Sequence, residues 1–199
     1  MGNSGKMNSE ESNRLLTLPN ILSIFRILLI PVFLIMITQG KAFGALAVFL
    51  LAGLTDLLDG FAARQLHQKT KIGALLDPAA DKLLATSSYI VLSIPFLTLL
   101  NAIPIWLAIT VISRDLLISG GAFLAFKLRG QKRFDPTIFG KASTACQFSV
   151  ILSVLFFNYT QTSPPYLSWL YYVTLFFTLV SGIHYVAIGV RMIFPKKQR

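Results

Sequence analysis

The chain has 199 residues, of which 54% are hydrophobic and only 13% are charged. Soluble domains carry about 25% charged residues. Because the apolar residues also fall in long runs, the composition excludes an ordinary soluble domain and predicts a polytopic membrane protein. The net charge of +10 does not indicate a nucleic-acid partner, because the basic residues cluster at the ends of apolar runs and match anionic lipid head groups. The single cysteine excludes an internal disulfide.

The polar residues 1–14 lack an apolar core, so we expect a disordered tail that precedes one membrane domain over residues 15–199. The predicted fold is all-α, with six transmembrane helices in one bundle. The predicted helices cover about residues 20–39, 42–63, 78–100, 102–128, 137–157 and 166–192. Pro78 is placed in the first turn of the third helix, with Asp77 as its cap.

Lys and Arg residues are unevenly distributed over the predicted loops. The loops after the second and fourth helices and both termini are basic, whereas the other three loops hold one lysine, Lys41. The positive-inside rule therefore predicts that both termini and the loop after the second helix face the cytoplasm. The first helix itself contains one base, Arg26, which is costly in a membrane unless it snorkels to the interface or faces a ligand. Both interpretations of Arg26 remain open from the sequence.

Four of the eight acidic residues lie in one stretch, Asp56, Asp59, Asp77 and Asp81. Spacings of three and four place each pair on one face of a helix, so two helices that meet there would gather four carboxylates. A hard divalent cation, or two of them, would relieve the repulsion, and oxygen ligands alone favour Mg²⁺, Mn²⁺ or Ca²⁺ over zinc. The alternative is a structural network in which the acids pair with nearby Lys and Arg residues.

The residues between these acids suit a phosphate ligand. Gly60 and Gly73 allow close approach of a ligand to the backbone, and the small side chain of Ala63 leaves space for it. The guanidinium of Arg64 can bind a phosphate through two nitrogens. The complete pattern is Asp56, two residues, Asp59-Gly60, two residues, Ala63-Arg64, eight residues, Gly73, three residues, Asp77, three residues, Asp81. It is identified as the signature of the CDP-alcohol phosphotransferases, and the resemblance extends from about residue 17 to residue 191.

The resemblance implies a family enzyme that uses a CDP-activated lipid and two divalent cations, Mg²⁺ or Mn²⁺. It implies that Asp56, Asp59 and Asp77 bind metal, and that Asp81 lies close to the metal and acts as the general base. It further implies that CDP is lined by Gly60, Ala63, Arg64 and Gly73, with Asn20 of the first helix in the nucleotide pocket. A homodimer in a bacterial cell membrane, with its active site facing the cytoplasm, is also expected.

The acceptor is expected to meet the positive charges of Arg114, Lys141 and Arg191. An Arg-Asp pair inside a membrane helix favours a functional role over a structural one. The start of the first helix resembles phosphatidylglycerophosphate synthases, which implies glycerol 3-phosphate as the preferred acceptor. Those enzymes commonly carry Arg-Glu where this chain has Arg114-Asp115. The stretches SRDLLISG and GKASTACQ instead resemble cardiolipin synthases, whose acceptor is phosphatidylglycerol.

Two functions of other classes stay open from the sequence. The acidic residues could form a cation path in a transporter, although such sites more often lie near the bilayer midplane between repeated halves, and no repeat is visible. The chain could also be a scaffold without activity, which the intact signature disfavours.

Overall fold

The structure, a computed structural model, describes residues 18–65, 73–97, 100–129 and 137–193. Within these residues the regular structure is helical and no strand occurs, which confirms the all-α prediction. The six α-helices and one short 3-10 helix are α1 (Leu18–Thr38), α2 (Ala42–Gln65), α3 (Gly73–Leu92), the 3-10 turn (Pro95–Leu97), α4 (Ile105–Arg129), α5 (Ile138–Tyr159) and α6 (Tyr166–Ile193). The predicted tail over residues 1–14 lies outside the described residues.

Three stretches of the described helices are long and apolar enough to cross a membrane: Asn20–Thr38 in α1, Ile138–Tyr159 in α5 and Tyr166–Gly189 in α6. A shorter apolar stretch, Ala42–Asp56, lies in α2. These helices indicate a membrane protein. The six-span bundle with cytoplasmic termini stays a prediction.

The third helix differs from its predicted bounds at both ends. It begins at Gly73, so Asp77 lies inside the helix and the prediction that Asp77 caps it is wrong. Pro78 is tolerated there because the helix has only just begun, and proline removes only one early hydrogen bond. The helix ends at Leu92 and not near residue 100, since Pro95 disfavours a helical conformation at the residue before it. The Leu92 carbonyl accepts instead from the Ile103 N–H at 2.9 Å.

The chain divides into two compact units, one over residues 1–91 and 97–99 and one over residues 92–96 and 100–199. In the first unit, α1 packs against α2 through Phe33 and Phe49, whose ring centroids are 6.1 Å apart. The turn between these helices is a Schellman motif. Gly40 has a φ of 67°, its N–H donates to Ile37, and the Lys41 N–H donates to Met36. This turn makes α1 and α2 antiparallel neighbours.

In the second unit, α6 packs against both α4 and α5. The buried stripe of α6 alternates in steps of three and four residues and is largely polar: Leu167, Tyr171, Thr174, Thr178 and Ser181. Thr178 shares a hydrogen bond of 3.2 Å with Ser143 of α5, and Ser143 in turn accepts from Gln147 at 3.2 Å. Hydroxyl and amide groups are common at membrane helix contacts, where they bond across the interface. Ser143 and Gln147 are therefore buried polar packing groups of α5.

Asn158, near the end of α5, fastens the segment that precedes α4. Its Oδ1 accepts from the Asn101 N–H at 2.7 Å and from the Leu100 N–H at 3.2 Å, and its Nδ2 donates to the Asn101 carbonyl at 2.9 Å. Asn101 also donates to the Thr162 carbonyl at 2.8 Å. Both asparagines are buried, so these bonds satisfy backbone groups that no helix can satisfy.

Replacing Asn158 with alanine is expected to lower the free energy of unfolding by roughly 2–4 kcal/mol, because several buried backbone groups lose their partner. Denaturant-dependent unfolding in mild detergent measures this loss. The control is Ser149→Ala on the same helix, where an exposed hydroxyl bonds only to the Ala145 carbonyl. Equal stability of the two variants would contradict the role assigned to Asn158.

Candidate functional site

One face of α1 carries buried polar side chains. Asn20, Ser23 and Arg26 follow at intervals of three residues, and their exposed fractions are 1%, 0% and 0%. The same face continues toward the helix end with Leu29, Phe33 and Ile37, which are buried and apolar. Because residues three and four apart share a helix face, the polar half of this stripe must meet partners inside the first unit or bind a ligand.

Arg26 meets two of the signature carboxylates. Its Nη1 lies 3.0 Å from Asp56 Oδ1 on α2 and also donates to Asp81 Oδ1 on α3. Two acceptors of one nitrogen lie within about 6 Å of each other. The guanidinium therefore links the two halves of the signature, which residues 66–72 separate in sequence.

Ser23 makes the neighbouring contact one turn earlier on α1. Its Oγ donates to Asp77 Oδ1 on α3. Ser23 contacts Asp77, and Arg26, three residues later on α1, contacts Asp81, four residues later on α3. Each pair is separated by about one helical turn, so the two contacts follow in the same order along both helices. The face of α1 and the face of α3 are complementary in polarity as well as in spacing.

These contacts bear on one of the two interpretations of Arg26, that it snorkels to the interface. Its side chain is 0% exposed, so it does not snorkel to an interface. The expected gathering of acids is found for Asp56 and Asp81, which share Arg26, and Asp77 joins the same face of α1 through Ser23. The side chain of Asp59 lies outside the described residues. The ion pairs of Asp56 and Asp81 with Arg26 also agree with the alternative interpretation, in which the acids pair with basic residues in a structural network.

The donor set suits a hard divalent cation. Among the described residues no group of three metal-ligating side chains is close enough to hold an ion by itself. Asp56, Asp77 and Asp81 nevertheless offer six carboxylate oxygens, and Asp56 and Asp81 are 45% and 41% exposed, so solvent or a ligand reaches them. Three carboxylates against one guanidinium leave a formal charge of −2 that a divalent cation would balance.

The residues expected to line CDP lie near the end of α2 and at the start of α3, the next helix along the chain. Gly60, Ala63 and Arg64 fall in the last turns of α2, and Gly73 is the first residue of α3. Their side chains lie outside the described set, so their expected contacts with CDP stay predictions. Asn20 is described: it lies on the same buried face of α1 as Ser23 and Arg26.

The second unit contains a half-buried arginine, Arg114, whose side chain is 11% exposed. Arg114 on α4 donates from Nη1 to Asp115 Oδ1 at 2.7 Å and from Nη2 to Ser181 Oγ on α6 at 2.6 Å. Its guanidinium carbon lies 5.8 Å from the centre of the Tyr185 ring, within range of a cation-π contact. Arg114 Nε is buried and has no hydrogen-bond partner among the described residues. One donor of this guanidinium is therefore unused by the part of the chain that is described.

Tyr185 connects Arg114 to the start of α5. Its hydroxyl oxygen accepts from the Thr137 N–H at 3.2 Å, and Thr137 Oγ1 caps the helix by accepting from the Gly140 N–H at 3.1 Å. A side chain at Gly140 would crowd this contact, because an added Cβ would lie 3.0 Å from the Tyr185 oxygen. The contacts of Ser181 and Tyr185 with Arg114 were not predicted from sequence. Both residues are polar and continue the series of three- and four-residue steps that the buried residues of α6 follow.

The other two expected acceptor residues are placed differently. Lys141 is exposed on α5, beside the buried Gly140, and its side chain makes no hydrogen bond or ion pair with another described residue. Arg191 lies in the last turn of α6, and its side chain is outside the described set. Their expected role in acceptor binding stays a prediction.

Comparison with known proteins identifies a family for this chain. Residues 16–180 match the family model described as CDP-alcohol phosphatidyltransferase. This range covers more than half of the chain and contains Asn20, the complete signature, Arg114 and Lys141.

Curated relatives carry two different names. The chain is 38% identical over 192 residues to a cardiolipin synthase (CMP-forming) of Rattus norvegicus, a match that covers 87% of this chain and 61% of that protein. It is 33% identical over 186 residues to the CDP-diacylglycerol–glycerol-3-phosphate 3-phosphatidyltransferase of Bacillus subtilis, covering 84% and 92%. A protein of the same name from Aquifex aeolicus is 34% identical over 186 residues, covering 91% and 100%. The chain thus spans about three fifths of the rat relative and nearly all of the two bacterial ones.

Proposed function

Because the chain belongs to the CDP-alcohol phosphatidyltransferase family, we propose that it transfers a phosphatidyl group from CDP-diacylglycerol to glycerol 3-phosphate. The products are phosphatidylglycerophosphate and CMP. The observation that carries this proposal is the contact of Arg26 with both Asp56 and Asp81, which brings the two halves of the signature together. The preferred acceptor rests on the two bacterial relatives named for it, which match over 92% and 100% of their length.

The proposal includes a membrane topology. All six helices have between 20 and 28 residues, which corresponds to about 30–42 Å at 1.5 Å per residue and equals or exceeds a bilayer core of about 30 Å. With six spans, the basic loops support a signature that faces the cytoplasm, and the membrane is proposed to be a bacterial cell membrane. The diacylglycerol part of the donor then reaches the site within the bilayer, and CMP leaves to the cytoplasm. A homodimer is part of the proposal and is tested by the mass of the detergent-solubilised protein.

The proposed reaction is one displacement at phosphorus. The acceptor hydroxyl oxygen forms a bond to the phosphorus that carries diacylglycerol, and the bond from that phosphorus to the oxygen bridging to CMP breaks. CMP leaves with the electron pair of that bond, and the hydroxyl proton passes to the carboxylate of Asp81. Arg26 orients this carboxylate through its bond to Oδ1, so the other oxygen of Asp81 is the one proposed to take the proton.

Asp56, Asp59 and Asp77, with Asp81 beside them, are the residues proposed to hold two divalent cations, Mg²⁺ or Mn²⁺. When bound, such cations neutralise the charge of the pyrophosphate and lower the pKa of a bound hydroxyl. Gly60, Ala63, Arg64 and Gly73, together with Asn20, are proposed to bind the CDP part of the donor.

The acceptor is proposed to bind near Arg114, with Lys141 and Arg191 as further positive charges. One observation favours phosphatidylglycerol as a second candidate. Arg114 is already paired with Asp115 at 2.7 Å, so this pair has a formal charge of zero and suits a singly charged phosphodiester better than a doubly charged phosphate. The rat relative named cardiolipin synthase agrees with this second candidate.

The direct test is CMP release by the purified chain from CDP-diacylglycerol with Mg²⁺ or Mn²⁺, offered glycerol 3-phosphate or phosphatidylglycerol separately. Mass spectrometry of the lipid product identifies the acceptor. Release with glycerol 3-phosphate supports the first candidate, and release only with phosphatidylglycerol supports the second. Ion flux across proteoliposomes without CMP release would replace the proposal by a transporter, and neither activity would favour a scaffold.

Arg114→Ala is expected to raise the KM for the acceptor by roughly tenfold or more, because a charge-assisted contact worth about 1.5–3 kcal/mol is lost. The KM for CDP-diacylglycerol should change less. Initial rates at varied acceptor and donor concentrations measure both constants. The matched control is Thr110→Ala, one turn earlier on α4, whose hydroxyl bonds only to the Trp106 carbonyl. A larger change in the donor KM would move the acceptor site away from Arg114.

A further inference from the structure

The buried face of α1 has a function that the family signature does not include. We propose that Arg26 is a positioning residue: a built-in counter-cation that holds Asp56 and Asp81 in register and competes with divalent cations for the same carboxylates. Ser23 supports it by fixing Asp77. That these carboxylates form a metal site rests on the proposed function.

The first argument is the cost of burying Arg26. It is the only charged residue in the 21 residues of α1, and its side chain is 0% exposed. A buried guanidinium in a membrane helix is strongly unfavourable unless opposite charges compensate it. The compensating groups are Asp56 and Asp81, so the burial of Arg26 and the position of these two carboxylates depend on each other.

The second argument is the geometry of the contact. A single nitrogen, Nη1, serves both carboxylates, and these belong to different helices. Bringing Asp56 and Asp81 together without a positive charge would cost repulsion between them. Arg26 removes that cost in the absence of metal, and α1 therefore holds Asp56 of α2 and Asp81 of α3 close to each other.

The third argument is charge. With Asp77 included, the three carboxylates exceed the guanidinium by two formal charges, so the site still attracts a divalent cation. A positive charge within hydrogen-bonding distance of the ligand oxygens nevertheless repels that cation and weakens its binding. Arg26 therefore keeps the carboxylates aligned but lowers their affinity for a divalent cation. Its removal should tighten metal binding and destabilise the metal-free protein.

The fourth argument is the role of Ser23. Its hydroxyl is 0% exposed and donates to Asp77, one turn from the contact between Arg26 and Asp81. This hydrogen bond positions a carboxylate without adding charge. Ser23→Ala should therefore disturb alignment while leaving the electrostatic competition unchanged, which separates the two effects within one helix face.

The test measures Mn²⁺ binding by electron paramagnetic resonance of free Mn²⁺ and, separately, the midpoint of thermal unfolding without metal. Arg26→Gln is expected to bind Mn²⁺ roughly tenfold more tightly than the unmodified chain, because a like charge next to the ion is removed. Its metal-free unfolding midpoint should fall, and saturating Mn²⁺ should restore it. A residue that only packs against its neighbours would not give tighter binding together with rescue by metal.

Three further variants complete the design. Arg26→Lys keeps the charge, so its Mn²⁺ affinity should stay near that of the unmodified chain. Ser23→Ala should lower the midpoint without tightening Mn²⁺ binding. Lys41→Gln removes an exposed charge in the turn after α1 and should change neither quantity. Comparison with Lys41→Gln excludes a general effect of net charge.

Unchanged or weaker Mn²⁺ binding by Arg26→Gln would overturn the proposal, as would absence of Mn²⁺ binding by the unmodified chain. If Arg26→Gln can be purified only with Mn²⁺ present, the proposal is supported, whereas equal aggregation with and without Mn²⁺ contradicts it. Neither readout needs a substrate. Failure of CMP release with both acceptors would therefore overturn the proposed function and leave the result on Arg26 separately measurable.

Discussion

Replacing Asp81 with asparagine is expected to lower kcat by roughly three orders of magnitude or more, since a general base contributes about 10²–10⁴ to the rate. Asparagine has nearly the same shape as aspartate, and its amide oxygen can still accept the hydrogen bond from Arg26 Nη1. The substitution therefore removes the basic group while the link between α1 and α3 is retained. Binding of Mn²⁺ and of CDP-diacylglycerol should be partly kept.

Steady-state kinetics of CMP release, combined with Mn²⁺ titration, measure these two effects separately. The matched control is Ser87→Ala on α3, where the hydroxyl donates to the Leu84 carbonyl of its own helix and kcat should stay within about twofold. If Asp81→Asn retained most of its activity, Asp81 would not be the base. If it lost Mn²⁺ binding completely, its main role would be that of a ligand.

The order and type of the helices could be predicted from the sequence because each helix is a long apolar run bounded by polar or turn-forming residues. The bounds of α3 could not. Pro78 suited both the first turn of a new helix and an early interior position, and the structure has the second. Local preference alone does not distinguish these positions, because the residues before Pro78 also form helix when α3 packs in the first unit.

The carboxylates of the site were predictable because their spacing places each pair on one helix face. Their partner was not. A single base in an apolar helix can reach the interface or meet a buried acid, and the choice depends on which face of α1 meets α2 and α3. Ser23 carried a weak signal, since it lies three residues before Arg26 and shares its face. In the second unit, Tyr185 could not be linked to Arg114, because the two residues are far apart in sequence.

The second large effect is expected for Asp56→Ala, which should weaken Mn²⁺ binding by more than about 100-fold and remove CMP release at physiological metal concentrations. Asp56 is 45% exposed and is the described carboxylate that α2 contributes to the contact with Arg26. Without it, the donor set loses two oxygens on that side of the site. Isothermal titration or resonance detection of free Mn²⁺ measures the affinity directly, and neither depends on turnover.

Asp56→Asn separates metal binding from the structural contact. Its amide oxygen can still accept from Arg26, so the metal-free unfolding midpoint should stay closer to that of the unmodified chain than the midpoint of Asp56→Ala. Both variants should lose Mn²⁺ affinity, because a neutral amide is a weaker ligand for a hard cation than a carboxylate. Unchanged affinity in either variant would mean that Asp56 serves only to balance Arg26, and the network of acids and bases would then be structural.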